Sequence, residues 1–327
     1  MWHACSAAVK MAIGSVGAEI EVGGIGFSGQ MQGCLLVDRN LEPIGNCIIW
    51  LDQRSSAQVD EICGLIADDD ALRLTSNHCL NSFWAPKLLW IRENRPEDYE
   101  RAYKVMFIKD YLRLCMTGEV ATEVSDASLS FMLDVGARKW SYPVFDRLGI
   151  DRSLVPDTLA ESYEVVGRLS RGVAEESGIA PGVPVAAGAG DQPAGGVGTG
   201  IVRPGVLGST IGTRGVVFGC TSSPLIDAQN RAIMSMAHSV ENKWCFLGLV
   251  LSAGGAFKWL GSDIPDAEGS LRKERHGHLR LYDLSRRSGA AWLRGADLPA
   301  VPQRGRRPRY PTRTRAESFS GCHAAAA

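Results

Sequence analysis

The stretch that most limits the fold of this chain runs from residue 183 to residue 197. Val-Pro-Val-Ala-Ala is a short apolar run suited to a buried strand; it ends in Gly-Ala-Gly-Asp and passes into small residues of helical character at 192–197. A strand handed through glycines and an acid to a helix belongs to α/β folds. It also sets Asp191 at the mouth of a site instead of in a core. A composition shift near residue 183 marks a domain boundary, giving expected domains at 1–182 and 183–262 and a tail at 263–327.

The rest of the chain alternates in the same way. Residues 2–16 read as an amphipathic helix; 20–29 and 33–37 read as β runs separated by a Gly-Gln-Met-Gln-Gly turn. Helical periodicity at 55–66, 85–93 and 108–116 predicts helices that cover a sheet, with Pro86 near the first turn of the second, where a helix tolerates it. Residues 206–213 and 215–218 form a hairpin pattern around Gly-Thr-Arg-Gly, and a helix is expected over 253–260.

Several chemistries are excluded or disfavoured. Gly24 to Gly29 fits G-x-G-x-x-G with Asp52 downstream, but a dinucleotide site needs a helix opening at the third glycine, and here a turn and another strand follow. No Gly-Lys pair occurs, which removes a P-loop. The six histidines have no metal or triad-like spacing, so no metal-ligating residues are nominated. No apolar run reaches the roughly 20 residues needed to cross a bilayer, and no signal-peptide layout is present; a cytoplasmic protein is expected, without a membrane partner.

What remains is a set of glycine-rich turns around acids and hydroxyls. Asp191 could accept a proton from a substrate hydroxyl that attacks a phosphoryl group, or it could cap the helix that follows; position alone divides these evenly. The turn from Gly208 to Gly215 offers N–H groups and hydroxyls to phosphate oxygens, although an ordinary hairpin would look the same.

Read together, these segments resemble a known family. Gly-Phe-Ser-Gly-Gln-Met-Gln-Gly, Ile-Ile-Trp-Leu-Asp-Gln-Arg, Ala-Pro-Lys-Leu-Leu-Trp, Lys-Asp-Tyr-Leu-Arg, Ala-Gly-Ala-Gly-Asp-Gln-Pro, Ile-Gly-Thr-Arg-Gly and Ser-Ala-Gly-Gly-Ala-Phe-Lys-Trp occur in the order of the FGGY carbohydrate kinases. The resemblance spans residues 2–259 and is greatest with the xylulokinase branch. It implies an α/β, actin-like (ribonuclease H-like) two-domain sugar kinase fold, with sugar and ATP between the domains. It further implies phosphorylation of D-xylulose, or a related ketose, at its 5-hydroxyl, with Mg2+ accompanying ATP, and a homodimer is compatible with it.

The same resemblance distributes roles. Asp191 matches the catalytic base. Met31 and Gln32 match the sugar-contacting pair, with Gln32 standing where xylulokinases have His. Asp52 and Arg54 match W-x-D-x-R near the sugar, an exposed ion pair being the other reading. Gly212 and Thr213 match the phosphate-facing G-T-S turn, with Arg214 in place of Ser. Gly254 and Gly255 match the turn beside the adenosine.

Both ends depart from the family pattern. No D-x-G-S/T phosphate motif occurs, and the chain starts at a helix that this motif precedes in the family. The formal net charge of −1 divides into −7 over residues 1–262 and +6 over 263–327. A basic tail raises the question of nucleic acid, but shifting the reading frame of back-translated codons for residues 295–302 gives Gly-Leu-Ile-Phe-Leu-Pro-Tyr-Leu, the family's next motif. An out-of-frame tail is therefore preferred to a nucleic-acid arm. From both ends the fold is expected to be incomplete, and a non-catalytic fragment that at most binds sugar is the alternative to an active kinase.

Overall fold

The computed structural model describes residues 2–16, 20–213, 215–250, 252–256 and 259. By their contacts these fall into two units, Met1–Gly208 with Phe218–Leu247 and Ser209–Val217 with Gly248–Ala327, each considered for its described residues alone. The expected tail at 263–327 lies outside the described residues. Among those described, no helix is long and apolar enough to cross a membrane.

The first unit is mixed α/β. Its opening helix, Trp2–Ser15, turns Trp2, Cys5, Val9 and Ile13 onto a cluster formed by Met116, Leu169, Val173, Ala174, Ile179 and Val183. That spacing is the stripe of a helix lying on a core. A three-stranded antiparallel sheet follows, with Cys34–Val37 between Pro43–Ile48 and Lys104–Met106. All four residues of the central strand are buried, as an apolar Cys-Leu-Leu-Val run requires when both faces are covered. Over it lies Trp84–Asn94, whose Trp84 stacks on Phe107 with ring centroids 3.8 Å apart and donates its indole N–H to the Gly33 carbonyl at 2.8 Å.

The expected helices at 55–66, 85–93 and 108–116 are present as Ser56–Leu65, Trp84–Asn94 and Ile108–Thr117. The expected single strand at 183–189 is two pieces, Pro184–Ala186 and Ala189–Gly190, separated at Gly188, where φ is +78°. The first piece pairs antiparallel with Val165–Arg168, and the second pairs parallel with Ser28–Gly29.

Four more strands are hydrogen-bonded in the order Leu207–Ile211, Gly215–Thr221, Trp244–Val250, Ile233–Ala237. Neighbouring positions of the first two confirm the hairpin read from the sequence. Seven described cysteines are free thiols, and Cys34, Cys79, Cys220 and Cys245 are buried.

Candidate active site

The candidate sugar site of the first unit is built where two distant segments run side by side. Residues 25–29 lie parallel to 184–190, held by Ile25 N–H to Pro184 O at 3.0 Å, Ala186 N–H to Ile25 O at 2.9 Å and Ala189 N–H to Phe27 O at 2.9 Å. With Gly29 opposite Gly190, the turn bearing Met31 and Gln32 and the start of the helix Asp191–Gly198 leave the same end of this ribbon. In parallel α/β pairings that end is where ligands bind. No helix opens at Gly29, so the dinucleotide reading fails on structure as it did on sequence context.

Gly190 shows how closely the two segments meet. A Cβ placed on it would lie 2.5 Å from Met31 Cγ and 2.7 Å from its sulfur, so the Met31 side chain packs on the backbone immediately before Asp191. Met31, Gln32 and Asp191 are thus brought together from positions far apart in the chain.

Asp191 is the first residue of its helix, and Gly190 is the N-cap, with no capping side chain. Asp191 thus stands one position past the N-cap. The Asp191 residue is exposed, yet surrounding protein desolvates its carboxyl enough to raise the pKa above the ordinary value, against the opposing pull of the Gln192 and Asp191 N–H groups. A carboxylate made more basic while still reachable suits proton acceptance.

Gln32 is buried and adopts φ +66°, the left-handed region that few non-glycine residues occupy. Charged groups hold both sides of the residue. Its N–H donates to Asp126 Oδ1 at 2.9 Å, and its carbonyl accepts from Lys87 Nζ at 2.7 Å. Its side-chain amide reaches Met234 Sδ at 4.0 Å.

Asp52 and Arg54 make a forked pair of their own. Arg54 Nε donates to Asp52 Oδ1 at 2.8 Å and Nη2 to Oδ2 at 2.7 Å, while the guanidinium lies 4.8 Å from the centre of the Trp90 ring. Arg54 first and foremost holds the Asp52 carboxyl below its ordinary pKa. The pair reaches the turn through charge, because Asp52 and Lys87 act on each other's titration.

A set of residues to which the sequence reading gave no role lies beneath this site. Lys109, Asp110, Arg113, Glu123 and Asp126 are all buried. Lys109 Nζ is 2.8 Å from Asp110, 3.1 Å from Glu123 and 3.6 Å from Asp126; Arg113 Nη1 is 2.9 Å from Asp110 and donates to the Ala187 carbonyl at 2.6 Å. Glu123 caps the short helix Val124–Ala127 by accepting the Ser125 and Asp126 N–H groups. Two cations against three carboxylates leave one excess negative charge in a dry interior. Burial raises the Asp126 pKa well above the ordinary value, with the Lys109 ammonium opposing the rise. The signal in the sequence was the density of charge in Lys-Asp-Tyr-Leu-Arg and Thr-Glu-Val-Ser-Asp.

In the second unit, the candidate phosphate residues also meet. Ala253 and Gly255 N–H groups donate to the Thr213 carbonyl at 2.9 and 3.1 Å, and Gly254 N–H donates to the Gly212 carbonyl at 2.9 Å. A Cβ on Gly254 would lie 2.4 Å from the Gly212 oxygen, so this position admits no side chain without moving backbone. Gly212 has open space where a Cβ would be, and Ser209, Thr210 and Thr213 are exposed. That surface presents the hydroxyls of Ser209, Thr210 and Thr213, groups able to donate hydrogen bonds to an anion. The N–H groups of 253–255 are already engaged. Arg214 lies outside the described residues. Among the described residues no group of three or more His, Cys, Asp or Glu side chains is placed to hold a metal ion.

Comparison with known proteins accords with this geometry. The model of the FGGY family of carbohydrate kinases, N-terminal domain, matches residues 1–198. The xylulose kinase of Lactococcus lactis is 35% identical over 239 residues, which is 73% of this chain and 47% of that protein. That of Escherichia coli is 34% identical over 258 residues, 79% of this chain and 52% of the relative. A crystal structure of a kinase from Brucella ovis, described as a xyloylose kinase, superposes with a TM-score of 0.73 at 34% identity, covering 81% of this chain and 54% of the other. The chain spans about half the length of these relatives. Xylulose kinase from Rhodospirillum rubrum, at 22% identity and TM-score 0.77 over 88% of this chain and 57% of that one, shares the fold. With its actin-like α/β fold and the match over residues 1–198, the chain belongs to the FGGY family of carbohydrate kinases.

Proposed function

We propose that this chain binds D-xylulose at Met31, Gln32, Asp52, Arg54 and Asp191 and acts in its ATP-dependent phosphorylation to D-xylulose 5-phosphate. The observation that carries this reading is the packing of Met31 on Gly190, which puts the sugar-contacting turn beside Asp191. Asp191 accepts the proton of the attacking 5-hydroxyl. Gln32 offers a neutral amide that can donate and accept hydrogen bonds to sugar hydroxyls but carries no charge. ATP would supply the phosphoryl group, with Mg2+ offsetting the charge of its phosphates, and Gly212, Thr213, Gly254 and Gly255 would form the surface toward them. We also keep the domain boundary after residue 182 as part of this reading.

The test is titration calorimetry with D-xylulose together with ADP release in Mg-ATP, on the full chain and its Asp191→Asn variant. Sugar-dependent ADP release that falls roughly a hundredfold or more in the variant, with sugar affinity kept, supports base catalysis. Sugar binding without ADP release in the parent chain supports the sugar-binding alternative. No binding of D-xylulose overturns the assignment.

A further inference from the structure

We propose that Asp126, on the short helix Val124–Ala127, is a positioning residue that holds Gln32 in its left-handed conformation and, with Ser125 beside it, keeps the sugar turn in step with Asp191. The inference rests on the sugar-site reading above and adds residues that the reading does not use.

The left-handed conformation at Gln32 costs energy for a residue with a Cβ and persists only where the surroundings over-determine it. Here they do so from two sides. Asp126 Oδ1 accepts the Gln32 N–H at 2.9 Å from below, and Lys87 Nζ donates to its carbonyl at 2.7 Å from the helix Trp84–Asn94. Both side chains are wholly buried, so neither bond has competition from water.

The same helical turn reaches the other half of the site. Ser125 Oγ accepts the Gly190 N–H at 3.1 Å and donates to Glu123 Oε1 at 2.9 Å. Gly190 directly precedes Asp191. Adjacent residues of one element therefore hold the residue before the proton acceptor and the sugar-contacting residue. Lys109, 3.1 Å from Glu123 and 3.6 Å from Asp126, ties the helix to the buried charges beneath it.

Asp126 Oδ2 has no hydrogen-bond partner among the described residues. It faces the Lys109 ammonium at 3.6 Å, a charge contact longer than a hydrogen bond. It is the other oxygen of the same carboxyl that makes the bond to Gln32, and this bond gives the buried group its use.

The experiment reads the clamp and the sugar separately, on the full chain. Amide exchange at Gln32, measured without ligand, should be slow in the parent chain, because the N–H is buried on a carboxyl oxygen. Exchange at the rate of an open turn would overturn the proposal before any variant is made. Asp126→Ala should speed exchange at Gln32 and weaken D-xylulose binding about tenfold, the size of one lost hydrogen bond to a buried group. Asp126→Asn keeps an acceptor at Oδ1 and should restore both. A structural role alone would not give that rescue at Gln32. Unchanged exchange at Gln32 in Asp126→Ala, or no rescue by Asp126→Asn, rejects the clamp. If the parent chain binds no D-xylulose while exchange at Gln32 responds as stated, the sugar reading fails and the clamp stands.

Discussion

Gln32 and Lys87 show how much single side chains decide here. His is among the residues enriched at positive φ, so Gln32→His can adopt the φ of +66° found at this position without new strain. We expect D-xylulose affinity to stay equal or tighten in that variant; a large loss in calorimetry would mean a pocket tuned to another sugar. Lys87 carries a pH dependence of its own. Desolvation foremost lowers its pKa to about 8, opposed by Cys34, Cys47, Asp52 and Asp126 around it. Below that value the ammonium holds the Gln32 carbonyl with a charge-assisted bond, and above it a neutral amine holds it more weakly. Sugar affinity should therefore fall as pH rises through about 8, and the step should vanish in Lys87→Met. Stability moves the other way. Between about 8 and the ordinary 10.5 the unfolded chain binds a proton that the folded chain lacks, so the contribution of this group to stability grows with pH. Opposite slopes of binding and of unfolding free energy identify Lys87 as their common source.

At the scale of elements, the parallel ribbon depends on glycine where it is closest. Gly190→Ala would drive a methyl group into Met31, 2.5 Å away, and should cost about 1–3 kcal/mol in thermal unfolding, the range for overpacking, as well as sugar affinity. Adding Met31→Ala should recover the stability but not the affinity, a coupling that a double-mutant cycle resolves. The helices over 56–65, 84–94 and 108–117 were legible because their apolar spacing is local, as was the hairpin at 207–221. Their faces were harder to read. Helix Ile108–Thr117 buries Lys109, Asp110 and Arg113 together with Leu114 and Met116, so its inward side is partly ionic, whereas charge in a sequence ordinarily marks the solvent side. The residues that make this possible, Glu123 at the end of the strand Ala121–Glu123 and Asp126 on the helix Val124–Ala127, lie outside this helix, and no periodicity within it announces them. Met31, Gln32 and Asp191 could be nominated from motif order; the clamp from Asp126 and Lys87 required coordinates, since neither spacing nor residue type reveals which backbone group a buried charge will hold.

For the molecule as a whole, ligand linkage offers a measure independent of turnover. D-xylulose at a hundred times its dissociation constant should raise unfolding free energy by about 2.7 kcal/mol. In scanning calorimetry the shift should appear in the transition that carries Lys109 and its carboxylates, and Asp126→Ala should shrink it at fixed sugar concentration. The pairing of Ser28 with Ala189 joins strands about 160 residues apart, which is also why their adjacency could not be read locally. It has a consequence for biosynthesis. Ribosomes extend chains at about 5–20 residues per second, so the segment ending in Met31 and Gln32 emerges roughly 8–30 seconds before the strand that will lie beside it. Throughout that interval the nascent chain has its sugar turn but not the ribbon that orients it, and slowing or arresting translation before residue 189 should leave the turn open to protease, closing only once the later strand is released.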